Sequence, residues 1–549
     1  MFPRRLQRTL PLLALVALAL VAYANSFHAA FVFDDLDGIT SNPLVWDLSN
    51  FVPFGRGYRA DPNRYLGNLS FALNHRLGGL EPFGFHVVNF CIHVVNAVLV
   101  GLLVRVSFRT PVLARSHLAS FAGPIAWLAA ALFVAHPIQT QAVTYIVQRF
   151  ASLATTFYLS AVVGYVAWRC RREAGAARGM RGLLAYVLVL IAAVAAMRTK
   201  QIAFTLPFAI LVAERLLFGP LEWRRALALV PLFATAALIP LGLLDLEKPL
   251  SAVLSDADGA TRIQTATSRL EYLLTQAPVI ATYLRLLVFP VGQNADWDFP
   301  TYRSVLDPAV AGALILLSAI AAIAVTLLLR SRRRGGAATL DPAARLIALG
   351  IVWFFLTLSV ESSVIPIVDV MFEHRVYLPS VGFFIAVATA MVWAGQGLLR
   401  GRARWIAAAG AGILALVLAG ASAARNEVWR DDVSLWSDVV AKSPRSARAR
   451  LNLGKALVER GQVAAAIPHY LQALELAPAN PRVRNNLGVA LYKVGRVDDA
   501  IVQLEAAVAL QPGYAEAHNN LGIAFGKKGW YERAAREIAA GARFRDARR

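Results

Sequence analysis

Eleven long apolar runs recur between residues 9 and 424, and no feature of the chain limits its fold more. Hydrocarbon offers no partner for backbone N–H and C=O groups, so a chain crosses a bilayer as a helix of about 20 predominantly apolar residues that bonds to itself. The runs fall near 9–25, 85–104, 118–135, 150–168, 182–197, 201–218, 226–244, 308–329, 345–361, 380–399 and 405–424. The predicted fold class is all-α, a polytopic membrane protein of about 11 transmembrane helices over 1–424 with a helical repeat array at its carboxyl end. With 57% hydrophobic and only 16% charged residues, the composition excludes an ordinary soluble enzyme. The first run follows Arg4, Arg5 and Arg8 and lacks a small-residue cleavage site, so it reads as an uncleaved anchor. Cys91 lies in an apolar run and Cys170 in an Arg-rich loop, and two cysteines are too few for a disulfide framework.

A formal net charge of +21 would ordinarily raise nucleic acid as a partner, but the cations are placed for a membrane. They collect as Arg105, Arg109 and Arg115; Arg169, Arg171, Arg172, Arg178 and Arg181; Arg224 and Arg225; Arg330, Arg332, Arg333 and Arg334; and Arg400, Arg402 and Arg404. With these loops cytoplasmic, segments 26–84, 136–149, 245–307 and 362–379 face outward. Counting the moderately apolar stretch Tyr272 to Pro290 as a span would put Arg332 to Arg334 outside, so it reads as an interfacial or re-entrant helix. The amino terminus is then inside and the carboxyl terminus outside.

After Ala424 the composition turns polar and a period of 34 appears. Leu453-Gly454, Leu487-Gly488 and Leu521-Gly522 are one period apart, as are Gly461, Gly495 and Gly529, and Ala466, Ala500 and Ala534. This is the tetratricopeptide (TPR) pattern, in which small residues let two antiparallel helices approach closely and a proline, here Pro478 and Pro512, closes each unit. The array occupies 446–549, with 425–445 as a connecting half repeat. Asn452, Asn486 and Asn520 recur on the first helix of each unit, where such arrays line their concave face. A ladder of amides can hold a peptide backbone without reading its sequence; equally, Asn is a tolerated polar residue there.

Acidic residues beside spans are rare, which draws attention to Phe31-Val32-Phe33-Asp34-Asp35 in the first outer loop. Two carboxylates at a membrane interface can supply a general base, or form a solvated loop or a metal-binding turn. Arg64, His136, Lys200, Glu373 and Arg375 lie on the same predicted side, and His86, Asn89 and His93 share one helix face. That stripe is either a zinc site lacking a completing carboxylate or a set of packing side chains, and no metal is assigned. An acid pair with several cations suits a lipid phosphate, because Arg and Lys stabilise a phosphate leaving group.

Five motifs in order, Phe-Val-Phe-Asp-Asp at 31–35, Gly-Phe-His-x-x-Asn-x-x-x-His at 84–93, His-Pro-Ile-x-Thr-x-Ala-Val at 136–143, Tyr-Leu-Arg-Leu-Leu-x-Phe-Pro at 283–290 and Glu-x-Arg-x-Tyr-Leu-Pro-Ser-x-Gly-Phe at 373–383, precede the repeats. In this the chain resembles the transmembrane-and-TPR-containing O-mannosyltransferases. The resemblance implies a GT-C fold and a glycosyltransferase taking a sugar from a polyprenyl phosphate to Ser or Thr of proteins outside the cytoplasm. It implies that Asp34 is the catalytic base beside Asp35. Arg64, His86, His136, Lys200, Glu373 and Arg375 are then candidates for holding the lipid phosphate and sugar, and Asn452, Asn486 and Asn520 for holding the protein acceptor. Gln141 and Gln201 stand where related sequences often carry Glu, which puts a further carboxylate role in doubt. A lipid or polysaccharide acceptor and a non-catalytic membrane scaffold remain the alternatives. Expected partners are membrane lipid, the polyprenyl-phosphate sugar as donor and a protein acceptor, with no nucleic acid and an undetermined need for a divalent metal. The composition suits a bacterial inner membrane with the repeats in the periplasm.

Overall fold

The computed structural model describes residues 4–52, 55–177, 179–242, 267–330, 341–363, 366–397 and 403–546. Arg178, Arg332, Arg333, Arg334, Arg400 and Arg402 of the cation series lie outside them. Helices and short turns make up the described residues, with no strand among them. The chain divides into two compact units, Met1–Gln293 with Phe299–Trp429, and Asn294–Asp298 with Arg430–Arg549.

In the first unit, nine helices among the described residues are long and apolar enough to cross a membrane, at nine of the eleven expected runs. The other two are shorter. Pro342–Leu358 has 17 residues, and the run near 201–218 is split into a tight turn, Gln201–Thr205, and a 12-residue helix, Leu206–Leu217. The end of that short helix carries Glu214, which is buried and paired with Arg169 at 3.0 Å. Arg269–Val288, the predicted interfacial element, is a 20-residue helix opened by a capping box between Ser268 and Glu271, with Pro278 inside it.

Polar anchors among apolar neighbours fix this unit. Arg149 is fully buried and places its donors on Asn89 Oδ1 and Asn74 Oδ1, both at 2.6 Å, and on the Phe85 carbonyl at 2.9 Å, joining Tyr65–Gly78 and Pro82–Ser107 to Arg149–Glu173. A buried charge is tolerated only with its donors satisfied in this way. Gly350 on Pro342–Leu358 and Gly382 on Tyr377–Ala394 bring two backbones so close that a Cβ on either would strike the other's carbonyl. That approach accounts for the glycine of the motif at 373–383.

The second unit is the repeat array. Asp432–Lys442 precedes three helix pairs, Ala447–Glu459 with Val463–Leu476, Pro481–Lys493 with Val497–Leu510, and Ala515–Lys527 with Tyr531–Asp546. Gly454, Gly488 and Gly522 face the second helix of their own pair, where a Cβ would meet Tyr470, Leu504 or Ile538. Arg450, Arg484 and His518, also one period apart, each reach back to the carbonyl of Pro444, Pro478 or Pro512 and forward to Gln472, Gln503 or Glu537. Within this unit, Asp296 pairs with Arg448 and Asn294 donates to Ser443 Oγ at 2.8 Å.

Candidate active site

The acid pair is separated by the backbone that carries it. Phe33 has a φ of +55°, a left-handed conformation that a residue with a Cβ adopts only when its surroundings hold it there. Its ring stacks on Tyr145 at 5.9 Å, and Tyr145 stacks on Trp429 at 5.0 Å. The turn leaves Asp34 exposed and Asp35 completely buried. The Asp34 backbone N–H donates to the Tyr145 hydroxyl at 2.9 Å. Burial and the neighbouring acids push the Tyr145 phenol well above its ordinary range, so it stays protonated.

Asp35 has a different part. Its carboxyl accepts from Val147 N at 2.6 Å and Val32 N at 3.2 Å, pinning the turn after Phe33 to the segment before Arg149–Glu173. Burial pushes it up to about 8, against these backbone bonds and with help from the charge of Asp34. Where burial drives one of two adjacent carboxyls upward, it keeps a proton near neutrality and leaves the exposed partner to carry the charge.

Asp34 lines a cleft of about 760 Å³ together with Arg64, Lys200 and Arg375. Lys200, beside a tight turn, is 2.8 Å from Glu361 at the far end of the run after Pro342. Burial pulls the Lys200 ammonium below its usual range, Glu361 opposes this, and Arg375 and Arg64 add to it. Arg375 is buried and donates to the carbonyls of Asp369 at 2.7 Å and Val370 at 3.1 Å. Arg64 lies over the Phe150 ring at 5.1 Å and 3.7 Å from Asp61, with its side chain half exposed. Asp37, Asp61, Gln201, Glu361, Asp369 and His374 are among the other polar residues of the lining. Three cations beside an exposed carboxylate can hold a phosphate and accept a proton in one space.

Of the six candidates for holding the phosphate and sugar, His86, His136 and Glu373 lie off the cleft lining, as does Asp35. His86 Nε2 is 3.0 Å from the Ala29 carbonyl, and His93 Nε2 is 3.1 Å from that of Val134, so the histidine stripe bonds backbone and packs helices. His136 Nδ1 accepts from Ile138 N while Nε2 donates to the Leu287 carbonyl at 3.2 Å; burial holds its imidazole down at about 4, hence neutral. Glu373 is buried and accepts from Gln293 Nε2 at 2.7 Å. Gln141 accepts from His374 N at 2.8 Å, which fixes the backbone next to Arg375. No group of three or more His, Cys, Asp or Glu is arranged to hold a metal among the described residues.

In the array, Asn452, Asn486 and Asn520 are half-buried. Asn520 donates to Asn485 Oδ1 at 2.9 Å, and Asn485 donates to Asn486 Oδ1 at 3.2 Å.

Tyr145, Glu361 and Asp369 were not foreseen. Glu361 had a signal, being an acid at the end of an apolar run, where a charge calls for a partner. Tyr145 had none, because an aromatic in a buried loop follows no spacing rule.

Comparison with known proteins supports the resemblance over most of the chain. Human protein O-mannosyl-transferase TMTC4 is 27% identical over 502 residues, covering 83% of this chain and 64% of that protein. TMTC3 of Mus musculus is 25% identical over 84% of this chain and 50% of that protein. Tmtc2 of Drosophila melanogaster is 32% identical over 56% of this chain and 33% of that protein. The chain thus spans between a third and somewhat under two thirds of the length of these animal relatives. A family model described as TPR repeat matches residues 454–495 and 491–529.

Proposed function

We propose that this chain is a GT-C-like integral-membrane glycosyltransferase that moves a mannose-like sugar from a polyprenyl phosphate to Ser or Thr of a protein on the non-cytoplasmic side. One observation carries the reading: an exposed carboxylate, Asp34, and three cations, Arg64, Lys200 and Arg375, line a single cleft. The names borne by its relatives support the sugar and the acceptor class.

In this reaction the acceptor hydroxyl attacks the anomeric carbon and its proton passes to the Asp34 carboxylate. The bond from that carbon to the phosphate oxygen breaks, and its electron pair leaves with the polyprenyl phosphate. One displacement inverts the configuration, with no covalent enzyme intermediate. Lys200, Arg64 and Arg375 neutralise the phosphate as its charge grows. Tyr145 orients Asp34, while Asp35, protonated and buried, holds the loop and keeps the second negative charge away. The placement of cations along the loops supports a cytoplasmic amino terminus, an outward cleft and an outward array in a bacterial inner membrane. The array presents the acceptor, with Asn452, Asn486 and Asn520 on its peptide-holding face.

The test offers purified protein in nanodiscs a polyprenyl-phosphate mannose and a periplasmic extract, and reads products by intact-protein mass spectrometry. A one-sugar increment on a protein supports the reading. Label appearing only in lipid or polysaccharide, or nowhere, contradicts it.

A further inference from the structure

A second polar pocket, of about 240 Å³, lies between the end of Arg149–Glu173 and the start of Trp223–Ala236. Four arginines line it, Arg169, Arg172, Arg224 and Arg225, against Glu173 and Glu222. The acids are taken up internally. Arg169 pairs with buried Glu214 at 3.0 Å and with Glu173 at 2.9 Å, and Arg225 is 3.4 Å from both Glu173 and Glu222. Arg172 and Arg224 have no ion-pair partner among the described residues. Each lies over an indole instead, Arg172 over Trp168 and Arg224 over Trp223, both at 5.2 Å. Stacking of this kind fixes the guanidinium plane and leaves its N–H edge for a forked contact to phosphate.

Both flanking helices belong to candidate spans, and the pocket sits where their apolar runs give way to charge. Trp223, 69% exposed beneath Arg224, has the amphipathic ring that prefers the boundary between headgroups and hydrocarbon. An arginine-lined pocket between helix ends at that boundary, positive even after Glu214 is counted, matches one class of ligand.

We infer that this pocket holds the phosphate of an anionic phospholipid headgroup, gripped by Arg172 and Arg224 and backed by Arg169 and Arg225. The site is separate from the Asp34 cleft and does not depend on its chemistry.

Native mass spectrometry of the detergent-purified full chain, titrated with phosphatidylglycerol, phosphatidylcholine or inorganic phosphate, tests this. The wild type retains phosphatidylglycerol over phosphatidylcholine, and the Arg172→Gln/Arg224→Gln variant loses on the order of tenfold in that retention. An Arg172→Lys/Arg224→Lys variant keeps most of it, and an Arg105→Gln/Arg115→Gln variant of equal charge loss behaves as wild type. Thermal unfolding of each variant reports its fold. Unchanged retention in the first variant, equal loss in the Arg105/Arg115 control, or competition by inorganic phosphate at matched concentration would overturn the assignment.

Discussion

The Tyr145 hydroxyl meets Asp34 at its backbone, accepting the Asp34 N–H at 2.9 Å. One buried phenol, clamped between Phe33 and Trp429, thereby fixes the backbone that carries the proposed base. Tyr145→Phe keeps the stacking and removes this bond. Turnover falls by about 2- to 10-fold with donor KM nearly unchanged, the loss expected for one neutral hydrogen bond that positions the base. Steady-state kinetics check this, and a change confined to KM would contradict it.

Asp35 gives a pH signature. Its carboxyl is raised from the ordinary range to about 8 in the folded state, so the folded protein binds the proton more tightly than the unfolded chain does. The stabilisation is fully present below the unfolded value of about 4 and is lost as pH rises through about 8. Thermal unfolding followed from pH 5 to 9 shows a falling midpoint, and Asp35→Asn flattens the decline. Parallel curves for the two proteins would contradict this account.

In the proposed reaction Glu361 and the donor phosphate compete for Lys200. A phosphate entering the cleft takes Lys200 from a carboxylate 2.8 Å away. Lys200→Gln raises donor KM on the order of tenfold, as expected for loss of one charge-assisted contact. Glu361→Gln, by removing the competitor, lowers it. Kinetics with varied donor concentration separate the two, and shifts in the same direction would contradict the competition.

The array depends on close helix approach. A Cβ at position 454 would lie 2.5 Å from the Tyr470 ring, with little room to relax. Gly454→Ala destabilises the first repeat by about 1–3 kcal/mol. Limited proteolysis of the full chain reads this as faster cleavage around 447–476, and wild-type resistance would contradict it.

Much of this was legible in the sequence, for reasons that differ by residue. Apolar runs reveal helices because the bilayer forbids anything else, and the 34-residue period reveals the array because glycine is demanded at each helix crossing. Asp34, Arg64, Lys200 and Arg375 stood out because charges beside spans are scarce, and they share a cleft. His86, His136 and Glu373 stood out on the same ground yet bond to backbone or to Gln293, because residue type does not distinguish a buried group already satisfied from one open to a ligand. The short helix at Leu206–Leu217 escaped because its run reads as apolar through a backbone that turns tightly at Gln201–Thr205. The role of Asp35 was hidden because its shorter bond is to a backbone N–H, that of Val147, more than a hundred residues away.

The central claim is that Asp34 takes the proton of the acceptor hydroxyl. Asp34→Asn keeps the shape of an exposed side chain and removes its basicity. In the nanodisc transfer assay the variant is predicted to lose at least about a hundredfold in turnover while its thermal unfolding matches wild type. Transfer at the wild-type rate by a folded Asp34→Asn protein would contradict the account.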